Sequence, residues 1–198
     1  MNRPKKIYLL AAFFIVCLLS ATDSFAQTPA AKTSEPSFDV VLQTIVASNE
    51  AGEKSDNLQS LSGIAKKLKS DFSFSAYRLT GTFVQRVSNA GNSEFKGLAY
   101  EPTDDKNYPT FSEWSLSGLQ NSADENGRET VQIRNFRFGQ RIPIKNPNGA
   151  TTYEQVGLST QFGLPKNTPT IIGTVTTGKP GELMFVILTV KPAEKTTL

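Results

Sequence analysis

The chain has 198 residues, of which 38% are hydrophobic and 20% are charged, and its formal net charge is +3. This is enough for one domain with an apolar core, and too little apolar sequence for a bundle of membrane-spanning helices. Nucleic-acid-binding domains usually concentrate a much larger basic excess on one face, so the charge predicts no nucleic-acid partner.

The first 26 residues have the pattern of a secretory signal peptide. Three basic residues open the segment, residues 7–19 form an apolar stretch, and Ser24-Phe25-Ala26 is a small-x-small cleavage site. The apolar stretch is shorter than the ~20 residues that a bilayer-spanning helix needs. The pattern therefore predicts cleavage after Ala26, no membrane span in the processed chain, and a periplasmic or secreted location in a bacterium.

Three further segments are predicted from composition. Residues 27–37 are small, polar and contain proline without periodicity, which is typical of a disordered linker. Residues 38–192 form a single β-rich globular domain, and residues 193–198 form a flexible tail.

Two stretches near the ends of this domain are predicted to be central strands. Phe38–Val46 is apolar and β-branched on both alternating sets of positions, and Leu183–Val190 repeats the pattern. A strand with this composition is covered on both of its faces.

One amphipathic helix is predicted between them. Apolar residues recur at helical spacing at Leu58, Leu61, Ile64, Ala65 and Leu68. Asp56 with Gln59 resembles a capping box, and three lysines follow where a helix C-terminus favours cations. Gly63 inside the helix costs about 1 kcal/mol relative to Ala, so the helix depends on packing against a sheet.

The rest of the domain is predicted to be strands and turns. In Tyr77–Val87 the odd positions are mostly apolar, which predicts one buried face and one face in water. Further strands are predicted at Glu94–Glu101, Ser112–Gln120, Glu129–Gly139, Tyr153–Leu164 and Thr170–Thr177.

The turns follow from local sequence. The apolar set of Glu129–Gly139 changes parity near Arg134-Asn135, which predicts a β-bulge. Asn126-Gly127 predicts a type I′ hairpin, and Lys179-Pro180-Gly181 separates the last two strands. The predicted fold class is α+β and β-rich, a mostly antiparallel sheet or sandwich with one amphipathic helix packed on it.

The residue types present restrict the chemistry. The chain contains no His, and its single Cys, Cys17, lies in the predicted signal peptide. Ser-His-Asp and Cys-His arrangements and His-based zinc sites therefore cannot be built in the processed chain. We predict that the protein is not an enzyme, with no catalytic, cofactor-binding or metal-ligating residue and no cofactor.

Three partial motifs are interpreted as ordinary turns and strands. Gly173–Pro180 approaches a phosphate-binding loop, but Pro180 replaces the required hydroxyl and a strand follows instead of a helix. Ser122–Gly127 approaches a calcium loop, but Ile133 stands where the bidentate Glu belongs. Ser93 and Lys96 have the spacing of a Ser-Lys dyad, but strand alternation places them on opposite faces.

Two groups of residues leave alternatives open. Glu101, Asp104 and Asp105 lie in a turn-rich segment and are interpreted as solvated charges, with paired-carboxylate hydrolysis as the lesser alternative. Aromatic residues beside arginines favour core packing with a basic outer face over a stacking surface for sugar or single-stranded nucleic acid. These aromatic residues are Phe136 and Phe138, and the arginines near them in the sequence are Arg134, Arg137 and Arg141.

The C-terminal part resembles the β-domain at the end of bacterial secretins, the outer-membrane gates of type II secretion and type IV pilus systems. The resemblance rests on Tyr153–Phe162, Thr170–Thr174 and Glu182–Pro192, an alternating strand, an apolar strand ending in Gly, and a final apolar strand. Gly173-Thr174 replaces the expected Gly-Gly. The stretches 60–82 and 136–190 also resemble exported proteins of soil bacteria of the acidobacterial kind, and this resemblance implies no activity.

These observations favour an exported, non-catalytic cell-envelope protein that acts through protein–protein contacts. The resemblance implies a role accessory to a secretin or pilus system, with an envelope protein as partner. The alternative is a carbohydrate- or small-ligand-binding module that uses exposed aromatic residues and Arg137 or Arg141. The sequence leaves the binding residues and the oligomeric state open.

Overall fold

A computed structural model describes residues 36–50, 55–56, 58–99 and 108–193. The predictions for the signal peptide, the linker up to residue 35, the acidic segment 101–107 and the tail from residue 194 lie outside the described residues. The strands are β1 (Ser37–Ser48), β2 (Ala76–Ser88), β3 (Asn92–Leu98), β4 (Phe111–Ala123), β5 (Glu129–Lys145), β6 (Thr151–Pro165), β7 (Thr170–Val175) and β8 (Glu182–Pro192). A 3-10 turn (Gln59–Leu61) leads into the helix α1 (Ser62–Asp71).

The eight strands form two antiparallel sheets. The first sheet has the order β2-β1-β8-β7 and the second the order β3-β4-β5-β6. Within each sheet, strands that follow each other in the chain are paired, and the chain passes between the sheets at two short corners, residues 89–91 and 166–169. The pairing of β1 with β8 closes this meander. The predicted β-rich α+β fold is confirmed.

The main core lies between the two sheets. Apolar side chains of both sheets share one buried cluster, including Leu42 and Val186 of the first sheet and Leu116 and Phe138 of the second. A smaller cluster joins α1 to the other face of the first sheet, through Ile64, Leu68, Ile45, Phe185 and Ile187. The domain thus has three layers: helix, first sheet, second sheet.

The prediction that the first and last strands are central is confirmed. In β1 the side chain of Leu42 enters the inter-sheet core, while Ile45 contacts the helix layer. In β8 the side chain of Val186 enters the inter-sheet core, while Ile187 contacts the helix layer. All four side chains are fully buried. Burial on both faces is the physical reason for the continuous apolar sequence of these strands.

The helix lies where its periodicity predicts, but the predicted capping box is wrong. The Asp56 carboxylate accepts a hydrogen bond from the backbone N–H of Leu79 at 2.8 Å, and the Asp56 N–H donates to the carbonyl of Tyr77. Asp56 therefore extends the edge of β2, and no side chain caps the start of α1. Pairing with a strand edge outweighs local capping here.

Tyr77 connects α1 to the first sheet. Its hydroxyl lies 3.0 Å from the carbonyl oxygen of Leu68 and 3.1 Å from that of Phe72, at the C-terminal end of the helix. Its ring is buried in the smaller cluster. Desolvation by burial raises the pKa of Tyr77 above its usual value, so the phenol stays a neutral donor to these carbonyls.

Thr82, Val84 and Arg86 of β2 meet water as predicted, but the prediction of a single buried face along the whole strand is wrong. A register shift between β1 and β2 at Thr44/Ile45 leaves Thr80 as an extra residue. Before this bulge, Leu79 packs toward the helix layer, and after it Phe83 packs against the inter-sheet core. The apolar parity is uniform in sequence, but the bulge turns its two halves to opposite faces.

The bulge predicted in β5 is confirmed. The pairing with β6 shifts between Ile133 and Phe136, so that Arg134 and Asn135 face a single residue of β6. The neighbouring strand β4 has a matching irregularity at Gly118, whose φ of +69° favours glycine. Both strands therefore keep their apolar side chains on the core side.

The hairpin between β4 and β5 is confirmed, but its predicted type I′ turn is wrong. A type I′ turn needs a positive φ at both central residues, and of this pair only Gly127 has one. The Gly127 N–H donates to the carbonyl of Asp124, and the Asp124 carboxylate accepts the N–H groups of Asn126 and Arg128. Asp124 thus organises a longer loop than the Asn-Gly pair predicts.

Replacement of Tyr77 by Phe tests the connection between helix and sheet. The variant keeps the buried ring but removes the hydroxyl contact to the carbonyls of Leu68 and Phe72, of which Leu68 still accepts the N–H of Phe72, so we expect a loss of about 0.5–1.5 kcal/mol in the free energy of unfolding. Urea unfolding followed by circular dichroism measures the loss. An unchanged unfolding midpoint would show that water replaces the phenol at no cost.

Two glycine variants test the packing of the second sheet. A β-carbon at Gly157 would overlap the carbonyl oxygen of Phe138, whereas one at Gly63 on α1 meets no atom within 4 Å. We expect Gly157→Ala to lower the stability by about 1–3 kcal/mol and Gly63→Ala to raise it by up to about 1 kcal/mol. Thermal unfolding should show a lower melting temperature for Gly157→Ala and a higher one for Gly63→Ala. Equal changes in melting temperature would contradict this account.

Candidate functional site

The outer face of the second sheet is the candidate functional surface. Its central strand β5 alternates between buried Phe136 and Phe138 and exposed arginines. The two rings belong to the inter-sheet core, so the interpretation as core packing with a basic outer face is confirmed. We call the outer surface of this sheet, centred on Arg134, Arg137 and Arg141, the arginine face.

Small residues surround the first two of these arginines. Arg137 pairs in register with Ser115 of β4 and Ser159 of β6. The stem of Arg134 crosses Gly118, where a β-carbon would lie 2.9 Å from the arginine β-carbon. Both guanidinium groups project from a low surface, where a ligand can reach them without moving a neighbouring side chain.

A groove runs across the arginine face beside Arg137. Gly139 and Gly157 lie opposite each other in the pairing of β5 with β6 and form its floor. The cavity measures about 490 Å³. Gln155 reaches over Gly139 and donates a hydrogen bond to the carboxylate of Glu113 at 2.8 Å. This bridge spans three strands and fixes the wall of the groove.

The far wall of the groove is an ion pair on the edge strand β3. The ammonium group of Lys96 lies 2.8 Å from a carboxylate oxygen of Glu94. The hydrogen bond from Lys96 lowers the pKa of Glu94, and the same bond raises the pKa of Lys96. Both side chains are exposed, so this pair holds two opposite charges in place without adding appreciably to stability.

Arg141 lies at the other end of the face against two aromatic rings. Its guanidinium carbon is 5.9 Å from the ring centre of Phe111 and 5.6 Å from that of Tyr153. The two rings are 5.9 Å apart, and the Tyr153 hydroxyl donates to the carbonyl of Pro109. Cation–π contact of this kind holds a guanidinium group in place while its N–H groups stay available.

The partial motifs form no site. Ser93 is buried and bonds to Gln85, whereas Lys96 is exposed on the opposite face of β3, as strand alternation predicts. Gly173 lies within β7, and the turn at Lys179 leads directly into β8. Asp124 uses one carboxylate oxygen on the N–H groups of its own loop.

The remaining predictions concern the acidic segment, metal binding and membrane spans. Glu101, Asp104 and Asp105 lie outside the described residues. Within the described ranges, no cluster of three His, Cys, Asp or Glu side chains is arranged to hold a metal ion. The same part of the chain contains no helix long and apolar enough to cross a bilayer.

Sequence reasoning identified Arg137 and Arg141 but missed the groove. The signal available was the pair of glycines at Gly139 and Gly157, each inside a strand, where glycine often marks a close backbone approach. Their alignment into one floor depends on the register of β5 with β6, which the bulge at Arg134-Asn135 shifts by one residue. Sequence spacing alone does not fix that register.

Comparison with known proteins adds little. No model of a known protein family matches the chain, and no curated protein matches it. Among solved structures, the type IV competence pilus secretin PilQ of V. cholerae is similar at 8% sequence identity and a TM-score of 0.43. The alignment covers 97% of this chain and 66% of that one. The resemblance to acidobacterial exported proteins stays a prediction.

The ion pair on β3 gives a prediction about titration. Lys96 holds the pKa of Glu94 below its ordinary value, so Lys96→Met should move the Glu94 titration midpoint upward. Carboxyl chemical shifts followed by NMR across pH 3–6, ordinary for a Glu, measure this midpoint. Lys66→Met on α1 is the control and should leave it unchanged. A Glu94 midpoint that does not respond to Lys96→Met would mean that the pair does not persist in solution.

Proposed function

We propose that the protein is a non-catalytic component of the bacterial cell envelope that binds a protein partner through the arginine face. The observation that supports this is the difference between the two outer faces of the sandwich. Helix α1 covers the first sheet, whereas no described residue packs over the arginine face. An uncovered sheet face with fixed charges and a groove is suited to contact with another molecule.

The chemistry of the chain supports a binding role over catalysis. The sequence contains no His, and its only Cys is in the predicted signal peptide. The carboxylates near the groove, Glu94 and Glu113, are held by Lys96 and Gln155. Lys96 lowers the pKa of Glu94, whereas a general acid at neutral pH needs a raised pKa. The groove therefore has the character of a recognition surface.

The proposed envelope location rests on the signal-peptide pattern. Residues 153–192 resemble secretin β-domains in sequence, so a secretin or pilus assembly is the first partner to test. Partner recognition by a sheet face gives the protein an accessory role in which surface shape and charge matter more than reactive groups.

A carbohydrate- or small-ligand-binding module is the second candidate. The observation that favours it is the cluster of Arg141 with Phe111 and Tyr153, because sugar rings stack on exposed aromatic side chains. The Phe111 ring is 39% exposed. Trp114 is buried in the core, so a melting-temperature shift across a glycan panel tests this candidate better than tryptophan fluorescence.

Site-specific photo-crosslinking tests the protein-contact proposal. A benzophenone amino acid is placed at Ser159 or Gln161, which are exposed on the arginine face, and at Lys66 or Lys69, which are exposed on α1. We expect protein adducts in intact cells from the first pair and not from the second, with the partner identified by mass spectrometry.

A matched second set strengthens this experiment. Arg137→Ala should reduce the adducts from Ser159, whereas Arg128→Ala in the β4–β5 hairpin should not. Adducts that form equally at both faces, or no protein adducts at the arginine face, would contradict the proposal.

A further inference from the structure

The arginine face has an unusual balance of charge. Arg134, Arg137 and Arg141 are all exposed on one strand. None of the three forms a hydrogen bond or ion pair with any described residue. Three exposed guanidinium groups give this face a positive potential, which favours a partner of opposite charge. The face therefore carries positive charge that no described residue neutralises.

The nearby acids do not complete it. Glu94 is paired with Lys96 at 2.8 Å, and Glu113 accepts the amide of Gln155 at the same distance. Glu94 is thus directed to a neighbour on its own strand, and Glu113 to a side chain of β6 that reaches it across β5. Among the described residues, no carboxylate is thus paired with the three guanidinium groups, which are available to a ligand.

The spacing of two of these groups sets the scale of that ligand. Arg137 and Arg141 are four residues apart on the regular part of β5, after the bulge. At about 3.3 Å per residue this corresponds to roughly 13 Å. An extended peptide that runs along β5 repeats the same spacing between its own residues i and i+4, whose side chains lie on one face.

The surface between the two arginines accommodates a main chain. Gly139 lies midway between them beneath the Gln155–Glu113 hydrogen bond, and Gly157 beside it carries no side chain, so the surface is low at Gly157. The hydroxyl groups of Ser115 and Ser159 and the amide of Gln155 line the groove and provide hydrogen-bonding groups for a peptide backbone. Guanidinium groups at each end match carboxylates with two parallel hydrogen bonds.

We propose that the arginine face binds an acidic protein segment in extended conformation, with carboxylates four residues apart on Arg137 and Arg141 and the backbone between them over Gly157, beside the Gln155–Glu113 hydrogen bond. This inference rests on the proposed function and names the chemistry of its partner. Single-stranded nucleic acid fits less well, because the rings of Phe136 and Phe138 are buried and the rings of Phe111 and Tyr153 on this face are in contact with Arg141.

A peptide pair tests the inference on the full chain. The probe is a nine-residue Ser/Thr peptide with Glu at its third and seventh positions, and its control has Gln at both. We expect the Glu peptide to bind in fluorescence anisotropy, with an affinity that falls as salt rises, and the Gln peptide to bind at least about tenfold more weakly. A third peptide, with its two Glu residues adjacent, should also bind more weakly, because it cannot reach both arginines.

Variants then locate the site. Arg137→Ala combined with Arg141→Ala should weaken the Glu peptide by about tenfold or more. Arg128→Ala combined with Lys191→Ala removes the same charge away from the face and should leave the affinity within about twofold. Arg137→Lys with Arg141→Lys keeps the charge but loses bidentate pairing, and should give an intermediate affinity. Circular dichroism and melting temperature show that each variant is folded.

Several results would overturn the inference: no binding of the Glu peptide, equal loss in the two charge-removal variants, or equal binding of the two Glu spacings. Inorganic phosphate or an acidic polysaccharide that binds at the same arginines more tightly than the peptide would also overturn it. If the Glu peptide does not bind but protein adducts still form at Ser159, the inference of an acidic segment is rejected and the protein-contact proposal stands. Absence of those adducts would reject the proposal itself.

Discussion

The pairing of β1 with β8 is the constraint on which the rest of this domain depends. Every other strand pair joins neighbours in the sequence, but this ladder joins the two ends of the domain, in register from Phe38↔Pro192 to Ser48↔Glu182. The same two strands supply side chains to both buried clusters. Because they are covered on both faces, they fix where the helix lies on one side and where the second sheet lies on the other.

The layered order has a functional meaning. Helix α1 takes up the apolar outer face of the first sheet, held by the Tyr77 hydroxyl at the helix end. The second sheet needs little such cover, because most of its outward positions are polar, charged or glycine, with Leu98 and Phe111 as exposed apolar exceptions. One outer face is thus committed to stability, and the other is available for recognition.

Much of the fold was predictable because periodicity reports burial directly. All eight strands and the helix lie where apolar alternation or helical spacing places them, and the parity change at Arg134-Asn135 revealed a bulge. The errors arose where tertiary contacts override local preference. Asp56 pairs with the edge of β2 instead of capping the helix, and the bulge at Thr80 redirects half of β2. Neither effect has a signature within its own segment.

The candidate site was predictable only in part. Exposed arginines on β5 follow from alternation with buried Phe136 and Phe138. The groove does not, because it exists only when Gly139 and Gly157 meet across two strands and Gln155 reaches Glu113 across a third. The pattern of a single strand predicts which residues lie on a face, whereas the grooves of that face depend on the register between strands.

The closing ladder also determines when the domain can acquire its structure. The N–H of Ala193 bonds to the carbonyl of Ser37 at 2.8 Å, so the two ends of the folded region meet. Contacts between residues so distant in sequence carry a large loop-closure entropy and slow the folding of β-rich domains. A nascent chain that lacks β8 has no partner for β1, and the first sheet cannot form its centre. The domain therefore completes its core only after its final strand has been synthesised.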